Sequence, residues 1–139
     1  MKLPEELQFI ENSKLPHKTT QSRLDGKNCV ITGATSGIGY ETAKRLSKGG
    51  AHLIMLCRSR DKAEIVQNEL SQEFGGTSDI FIADFQKLKE VQDAGLAISQ
   101  KYPRIDLLIN NAGVFNKRRK LTPDGNEMTL GIIHLASFL

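Results

Sequence analysis

With 139 residues the chain has the length of one domain rather than two, and its 39% apolar and 25% charged residues are ordinary for a soluble globular protein. The formal net charge of +3 suits an anionic ligand but does not indicate the basic face that nucleic-acid binding requires. No apolar run approaches the roughly 18 residues of a membrane span, and early acidic residues argue against a signal peptide. We therefore expect a soluble, cytoplasmic protein with no membrane span and no nucleic-acid partner.

Cysteines and basic residues give two further expectations. Cys29 and Cys57 lie in apolar runs at a spacing that matches no zinc or redox motif, which predicts reduced, buried thiols and no metal site. The densest basic run is Lys117-Arg118-Arg119-Lys120, in a loop-like stretch. We interpret it as a solvated loop, with a polyanion site as the alternative.

Strand-like and helix-like segments alternate after a polar lead-in at residues 1–26, in which residues 3–12 have the spacing of a short helix. The predicted strands are residues 28–32, 52–57, 79–83 and 105–110. The predicted helices are residues 37–49, 61–74, 86–101 and 126–139, the first with Ile38, Ala43 and Leu46 facing inward. This alternation predicts an α/β fold over residues 27–139, a Rossmann-type doubly wound parallel sheet with right-handed crossovers.

A glycine-rich turn, Thr32-Gly33-Ala34-Thr35-Ser36-Gly37-Ile38-Gly39, joins the first strand to the first helix. Glycines there permit a tight bend, close approach of the backbone to a pyrophosphate, and close packing of helix on strand. The helix that follows offers unpaired N–H groups and its positive dipole end to phosphates. The sequence therefore predicts a dinucleotide site, whose candidate residues are Gly33, Thr35, Ser36, Gly37, Ile38 and Gly39. A tight turn without a ligand is the alternative.

The residue after the second strand bears on the choice of cofactor. A carboxylate about 20 residues past the glycines would bind a ribose 2′-hydroxyl and favour NAD(H). Arg58 stands here instead, and its guanidinium can pair with a 2′-phosphate. NADP(H) is therefore favoured over NAD(H), unless Arg58 is a surface cation that contacts nothing.

Two motifs carry a resemblance to a known family. The turn has the pattern GxxxGxG, and Asn110-Asn111-Ala112-Gly113 ends the fourth strand. With both motifs present, the chain from about Lys27 to Leu139 closely resembles the short-chain dehydrogenase/reductase family. Finer features are similar to its retinol-dehydrogenase-like branch, namely Cys57-Arg58, Leu121-Thr122, Asp124-Gly125 and Glu127.

The resemblance implies roles for residues beyond the turn. Asp84 and Phe85 would lie beside the adenine, and Asn110, Ala112 and Gly113 would line the ribose side of the cofactor. For Asp84 a cap on the following helix is an equal alternative. The family sheet has strand order 3-2-1-4-5-6-7, of which this chain would supply four strands in the order 3-2-1-4.

The resemblance also implies that the chain is truncated before the catalytic Ser and Tyr-x-x-x-Lys, so no catalytic residue is assigned. Tyr40 and Lys44 match that string but follow the glycine turn, at the pyrophosphate end, and we interpret them as helix-surface residues. Ile133 stands where the branch has an Asn that supports proton relay. His134 is interpreted as a helix histidine without a catalytic role.

These observations favour the cofactor-binding half of an NADP(H)-dependent oxidoreductase that acts on a small-molecule carbonyl or secondary alcohol. The alternatives are a non-catalytic, truncated dinucleotide-binding module that acts through association with a partner, and a scaffold that binds no nucleotide. The fourth strand and the last helix would leave apolar surface uncovered. We therefore expect self-association or a missing second half.

Overall fold

A computed structural model of the chain describes Pro4 and residues 20–139. Its strands are β1 (Asn28–Thr32), β2 (His52–Cys57), β3 (Ser78–Ile82) and β4 (Leu107–Ile109). Its helices are α1 (Gly37–Lys48), α2 (Arg60–Phe74), α3 (Leu88–Lys101) and α4 (Met128–Ile133), followed by a 3-10 helix at Leu135–Phe138. All strand pairs are parallel and the order is β3-β2-β1-β4. The predicted α/β class and strand order are confirmed, whereas the predicted helix at residues 3–12 lies outside the described residues.

β2 is buried on both faces because it lies inside the sheet with helices on either side. Leu53, Met55 and Cys57 point to the face that α1 and α2 cover. Ile54 and Leu56 point to the opposite face, where they pack with residues of α3 and α4. A strand in this position has to be apolar at every residue, which explains the continuous run in the sequence.

The two cysteines lie on the α1 and α2 side of the sheet. Cys29 and Cys57 are buried and form no disulfide with each other, as the sequence predicts. Burial raises the pKa of both thiols, because it disfavours the charged thiolate. Both side chains therefore act as small core residues.

α1 packs on the sheet through Ala43 and Leu46, as expected, but the inward position predicted for Ile38 is wrong. The Ile38 side chain is 81% exposed. It lies in the first turn of α1, which begins beyond the carboxyl end of β1, so no strand lies beneath it. Helical spacing shows on which face of a helix a residue lies, but it does not show how much of that face is covered by the sheet.

The last predicted helix, residues 126–139, is shorter and interrupted. It begins at Met128, because the Glu127 carboxylate accepts hydrogen bonds from the N–H groups of Thr129 and Leu130 at 3.1 and 2.9 Å. It ends at Ile133 with His134 as its C-cap, after which the chain tightens into the 3-10 helix. Short 3-10 turns are frequent at helix ends, and this one brings Ala136 into the same buried cluster as Ile132.

β4 forms one border of the described sheet. Asp106 fixes its start, because its carboxylate accepts the Asn28 N–H at 3.1 Å and pairs with Lys27 and Arg104 at 3.0 and 2.7 Å. These donors hold the pKa of Asp106 below its ordinary value. Leu108, in the middle of the strand, has 57% of its surface exposed. The start of β4 is thus held by several polar contacts, but the strand itself leaves apolar side chains exposed at the edge of the described sheet.

Candidate functional site

A cavity of about 450 Å³ opens at the carboxyl ends of the strands. Its wall includes the turn after β1, Arg58 after β2, Asp84 after β3 and Ala112 after β4. We call it the strand-end cavity. Ligands of doubly wound sheets bind outside the carboxyl ends, at the point where the strand order reverses, and here that point lies between β1 and β4.

Ten of the twelve candidate residues line this cavity. They are Gly33, Thr35, Ser36, Ile38, Gly39, Arg58, Asp84, Phe85, Ala112 and Gly113. Gly37 lies outside the lining, on the neighbouring surface of α1. Asn110 lines a second cavity, of about 540 Å³, between β4 and α3. Thus Gly37 and Asn110 are the two candidates that the structure places elsewhere.

Glycine is required at three positions of the turn. Gly33 and Gly37 have φ angles of +70° and +55°, in the left-handed region that other residues rarely adopt. Gly39 is ordinary helix, but a Cβ there would lie closer than 3.0 Å to the Gly33 carbonyl oxygen and to Asn111 Nδ2. The third glycine therefore allows α1 to pack directly on the turn.

The first turn of α1 is open to an anion. Its N-cap residue, Ser36, makes no side-chain capping hydrogen bond, and the turn contains no acidic side chain. The N–H groups at a helix start carry partial positive charge and lack partners within the helix. Since Ser36, Ile38 and Gly39 line the cavity, these donors lie at its wall.

Asn111 is the main site residue that the sequence reasoning missed. Its side-chain amide donates hydrogen bonds to the carbonyl oxygens of Thr32 and Gly33 at 2.9 and 3.2 Å. The buried Thr32 hydroxyl in turn accepts the N–H groups of Asn111 and Ala112 at 3.0 and 2.8 Å. These bonds tie the end of β4 to the turn after β1. The repeated Asn in the NNAG motif was the available signal.

The basic side of the cavity comes from the start of α2. Arg58 and Lys62 line it, and neither forms an ion pair with any residue of the described part of the chain. Arg60 lies outside the lining and approaches Glu64 to 3.8 Å. This wall therefore offers two exposed cations to a negatively charged group.

Asp84 stabilises the turn that precedes α3. One carboxylate oxygen accepts the Gln86 N–H at 3.0 Å, and the Asp84 N–H donates to Glu90 Oε2 at 2.9 Å. The cap on α3 itself comes from Asp124, which accepts the Leu88 N–H at 2.7 Å. Asp84 thus has the local bonding of a turn residue while also lining the cavity. Sequence spacing gave no sign of the distant Asp124.

Tyr40 and Lys44 face α2 rather than the cavity. The Tyr40 hydroxyl donates to Glu69 at 3.1 Å, and Lys44 approaches Glu73 to 3.4 Å. The hydrogen bond to Glu69 raises the pKa of Tyr40, whereas a catalytic phenol needs a lowered one. Their geometry is that of residues that join two helices.

Ile133 and His134 lie at the end of α4. A Cβ at Gly113 would be 3.6 Å from the Ile133 side chain, so Ile133 lies beside the cavity wall. The His134 ring packs edge-on against Phe138 at 4.9 Å between ring centres. Among the residues from 20 onward, no group of three or more His, Cys, Asp or Glu side chains is placed to bind a metal.

The family model described as short chain dehydrogenase matches residues 27–132. The chain therefore belongs to the short-chain dehydrogenase family, the class that the sheet order and the strand-end cavity also indicate. Among its relatives are proteins named as retinol dehydrogenases, to which this chain is similar.

Curated relatives are substantially longer than this chain. Retinol dehydrogenase 14 of Mus musculus is 40% identical over 127 residues, which cover 84% of this chain and 38% of that protein. A protein of Streptomyces sp. (strain C5) named as a daunorubicin C-13 ketoreductase is 40% identical over 123 residues, which cover 88% and 43%. The chain thus spans about two fifths of the length of these relatives.

Solved structures have the same fold. An Escherichia coli oxidoreductase matches with a TM-score of 0.75 at 26% identity, over 89% of this chain and 53% of that one. A short-chain dehydrogenase from Shigella flexneri 2a, solved in complex with NADP, matches with a TM-score of 0.72 at 28% identity, over 86% and 52%. Within the described residues, the helices are all too short or too polar to cross a bilayer.

Proposed function

We propose that this chain is the cofactor-binding half of an NADP(H)-dependent oxidoreductase that acts on a small carbonyl compound or secondary alcohol. The observation that carries the proposal is the strand-end cavity, which combines an uncapped helix start with an arginine that forms no ion pair within residues 20–139. Residues 27–139 form the dinucleotide-binding domain, preceded by the lead-in at residues 1–26. Two buried, reduced cysteines suit the cytoplasm as its location.

The cavity wall fits the two charged parts of the cofactor. The N–H groups at the start of α1 donate to the diphosphate, and the hydroxyls of Thr35 and Ser36 add donors. Arg58 pairs with the 2′-phosphate that distinguishes NADP(H) from NAD(H). A solved relative in complex with NADP supports this preference.

The uncharged parts of the cofactor fit the remaining wall. Asp84 and Phe85 adjoin the adenine, while Ala112 and Gly113 bound the ribose. Of the two candidates outside the lining, Gly37 acts through its left-handed turn and Asn110 through its place beside Asn111. Bound NADPH supplies a hydride, and the residues of this chain bind and orient it.

Calorimetric titration tests the proposal directly. We expect one NADPH site, with NADH binding more weakly, and no oxidation of NADPH when the chain alone is mixed with a panel of aldehydes and ketones. Absence of binding heat for both cofactors would contradict the cofactor site. Turnover by the chain alone would contradict the assignment of catalysis to other residues of the full enzyme.

We further propose that the uncovered β4 face associates with a second copy or with a missing half. Leu107, Leu108 and Leu139 expose between 40% and 57% of their surface and border the second cavity. Native monomers rarely leave a strand edge and apolar surface of this kind open to water.

Replacing Leu108 by lysine is expected to shift the chain towards monomer in sedimentation velocity, because a charge on the edge strand opposes association. Leu96→Lys is the matched control, since Leu96 is 55% exposed on α3 and lies outside both cavities. A wild-type chain that sediments as a stable monomer at all concentrations would refute the proposed association with a second copy.

A further inference from the structure

The densest basic run of the chain lies in one loop. Lys117, Arg118, Arg119 and Lys120 carry four positive charges in a chain whose formal net charge is +3, so the other residues together are slightly negative. All four side chains are exposed, and none forms an ion pair with the described residues. A basic surface of this density attracts an anionic partner.

The C-terminal end of this loop is fixed to the domain. The Lys120 carbonyl oxygen accepts the Met128 N–H at 2.9 Å, and Leu121 forms an antiparallel bridge with Glu127. The Glu127 carboxylate is already bonded to two N–H groups of α4, which keep its pKa low. The charges are therefore displayed on a defined surface rather than on a free tail.

Exposed apolar side chains stand on both sides of the cations. Phe115 is 85% exposed and Leu121 is 53% exposed. Basic residues flanked by apolar side chains are typical of a segment that lies at a membrane surface. The apolar side chains insert between the lipid chains, and the cations bind the lipid headgroups. A duplex nucleic acid would use the cations through its phosphates, but its bases are stacked inside the helix and offer Phe115 little apolar contact.

We infer that residues 115–121, which we call the basic loop, bind the anionic phospholipid surface of a membrane without spanning it. Each basic residue near such a surface strengthens partitioning about fivefold. Val114, the residue before the loop, lines the strand-end cavity, so a bound membrane lies beside the cavity. This inference does not depend on the identity of the cofactor.

Vesicle sedimentation provides the test. The chain is expected to sediment with vesicles that contain phosphatidylserine, to remain free with pure phosphatidylcholine, and to be released by salt. Arg118→Gln with Arg119→Gln should weaken binding roughly 30-fold, and Phe115→Ser should weaken it about tenfold or more. The matched control removes two other exposed cations, Lys87→Gln with Lys89→Gln, and should leave binding unchanged.

Two results would overturn the inference. The first is failure of the wild-type chain to bind either kind of vesicle. The second is equal binding to a DNA duplex and to anionic vesicles with no effect of Phe115→Ser, which would assign the loop to polyanions in general. Unchanged far-ultraviolet circular dichroism and urea midpoints of the loop variants show that they are folded, so failure here is separate from failure of the cofactor site.

Discussion

Gly39→Ala is expected to abolish NADPH binding and to lower the free energy of unfolding by about 1–3 kcal/mol. The new methyl group would collide with the Gly33 carbonyl oxygen and with the Asn111 amide, neither of which is the mobile end of a long side chain. Relief of the collision moves α1 away from the turn and breaks the bonds that join the turn to β4. Urea unfolding and calorimetry measure the two effects.

Gly95→Ala is the matched control for this substitution. Gly95 is also helical, but the nearest atom to its added Cβ is the Leu139 carbonyl oxygen at 3.8 Å, an ordinary contact. Since alanine favours helix by up to about 1 kcal/mol over glycine, this variant should be as stable as the wild type or more stable. Wild-type NADPH affinity in Gly39→Ala would show that close packing at the turn is not needed for the site.

Arg58→Ala is expected to weaken NADPH binding about 10- to 100-fold and to leave NADH binding nearly unchanged. A hydrogen bond to a charged group contributes about 1.5–3 kcal/mol, and the 2′-phosphate exists only on NADP(H). Calorimetry measures the affinities of both cofactors for the wild type and the variant. A loss confined to NADPH indicates a contact with the 2′-phosphate, whereas equal losses for both cofactors indicate a general effect of charge.

Arg60→Ala is the control for that charge. It removes an exposed arginine two residues away, which lies near Glu64 and outside the strand-end cavity. Both affinities should stay within about twofold of wild type, because salt screens an exposed charge that does not line the cavity. If Arg58→Ala also leaves both unchanged, the proposed contact with the 2′-phosphate is wrong.

The fold was largely predictable because its pattern is local. Strand β2 is apolar at each position since both of its faces are covered, and α2 shows its inward face through Ala63, Val66 and Leu70. The alternation of such segments predicts a parallel sheet. The strand order came from the family resemblance rather than from the pattern of residues.

The sequence-based predictions that are wrong concern features that depend on contacts between distant residues. Ile38 has inward spacing on α1, but only the length of β1 determines whether a strand lies beneath it. The break near His134 depends on how Ile132 and Ala136 pack against α3 and the sheet. Neither property is encoded in local periodicity.

The site was predictable where a motif fixes the backbone and less so where side chains from separate elements meet. The glycine turn and Arg58 follow directly from strand ends. In contrast, Asn111 joins β4 to the turn across 78 residues of sequence, and Asp124 caps α3 across 36 residues. Their partners become apparent only once β4 is placed beside β1.

A crystal structure of the chain grown with NADPH would show whether the glycine turn after β1 holds the diphosphate. We expect the diphosphate to lie against the backbone N–H groups at the start of α1, with the 2′-phosphate beside Arg58. A dinucleotide bound at another surface, or a protein side chain filling the space in front of Gly37, would contradict it.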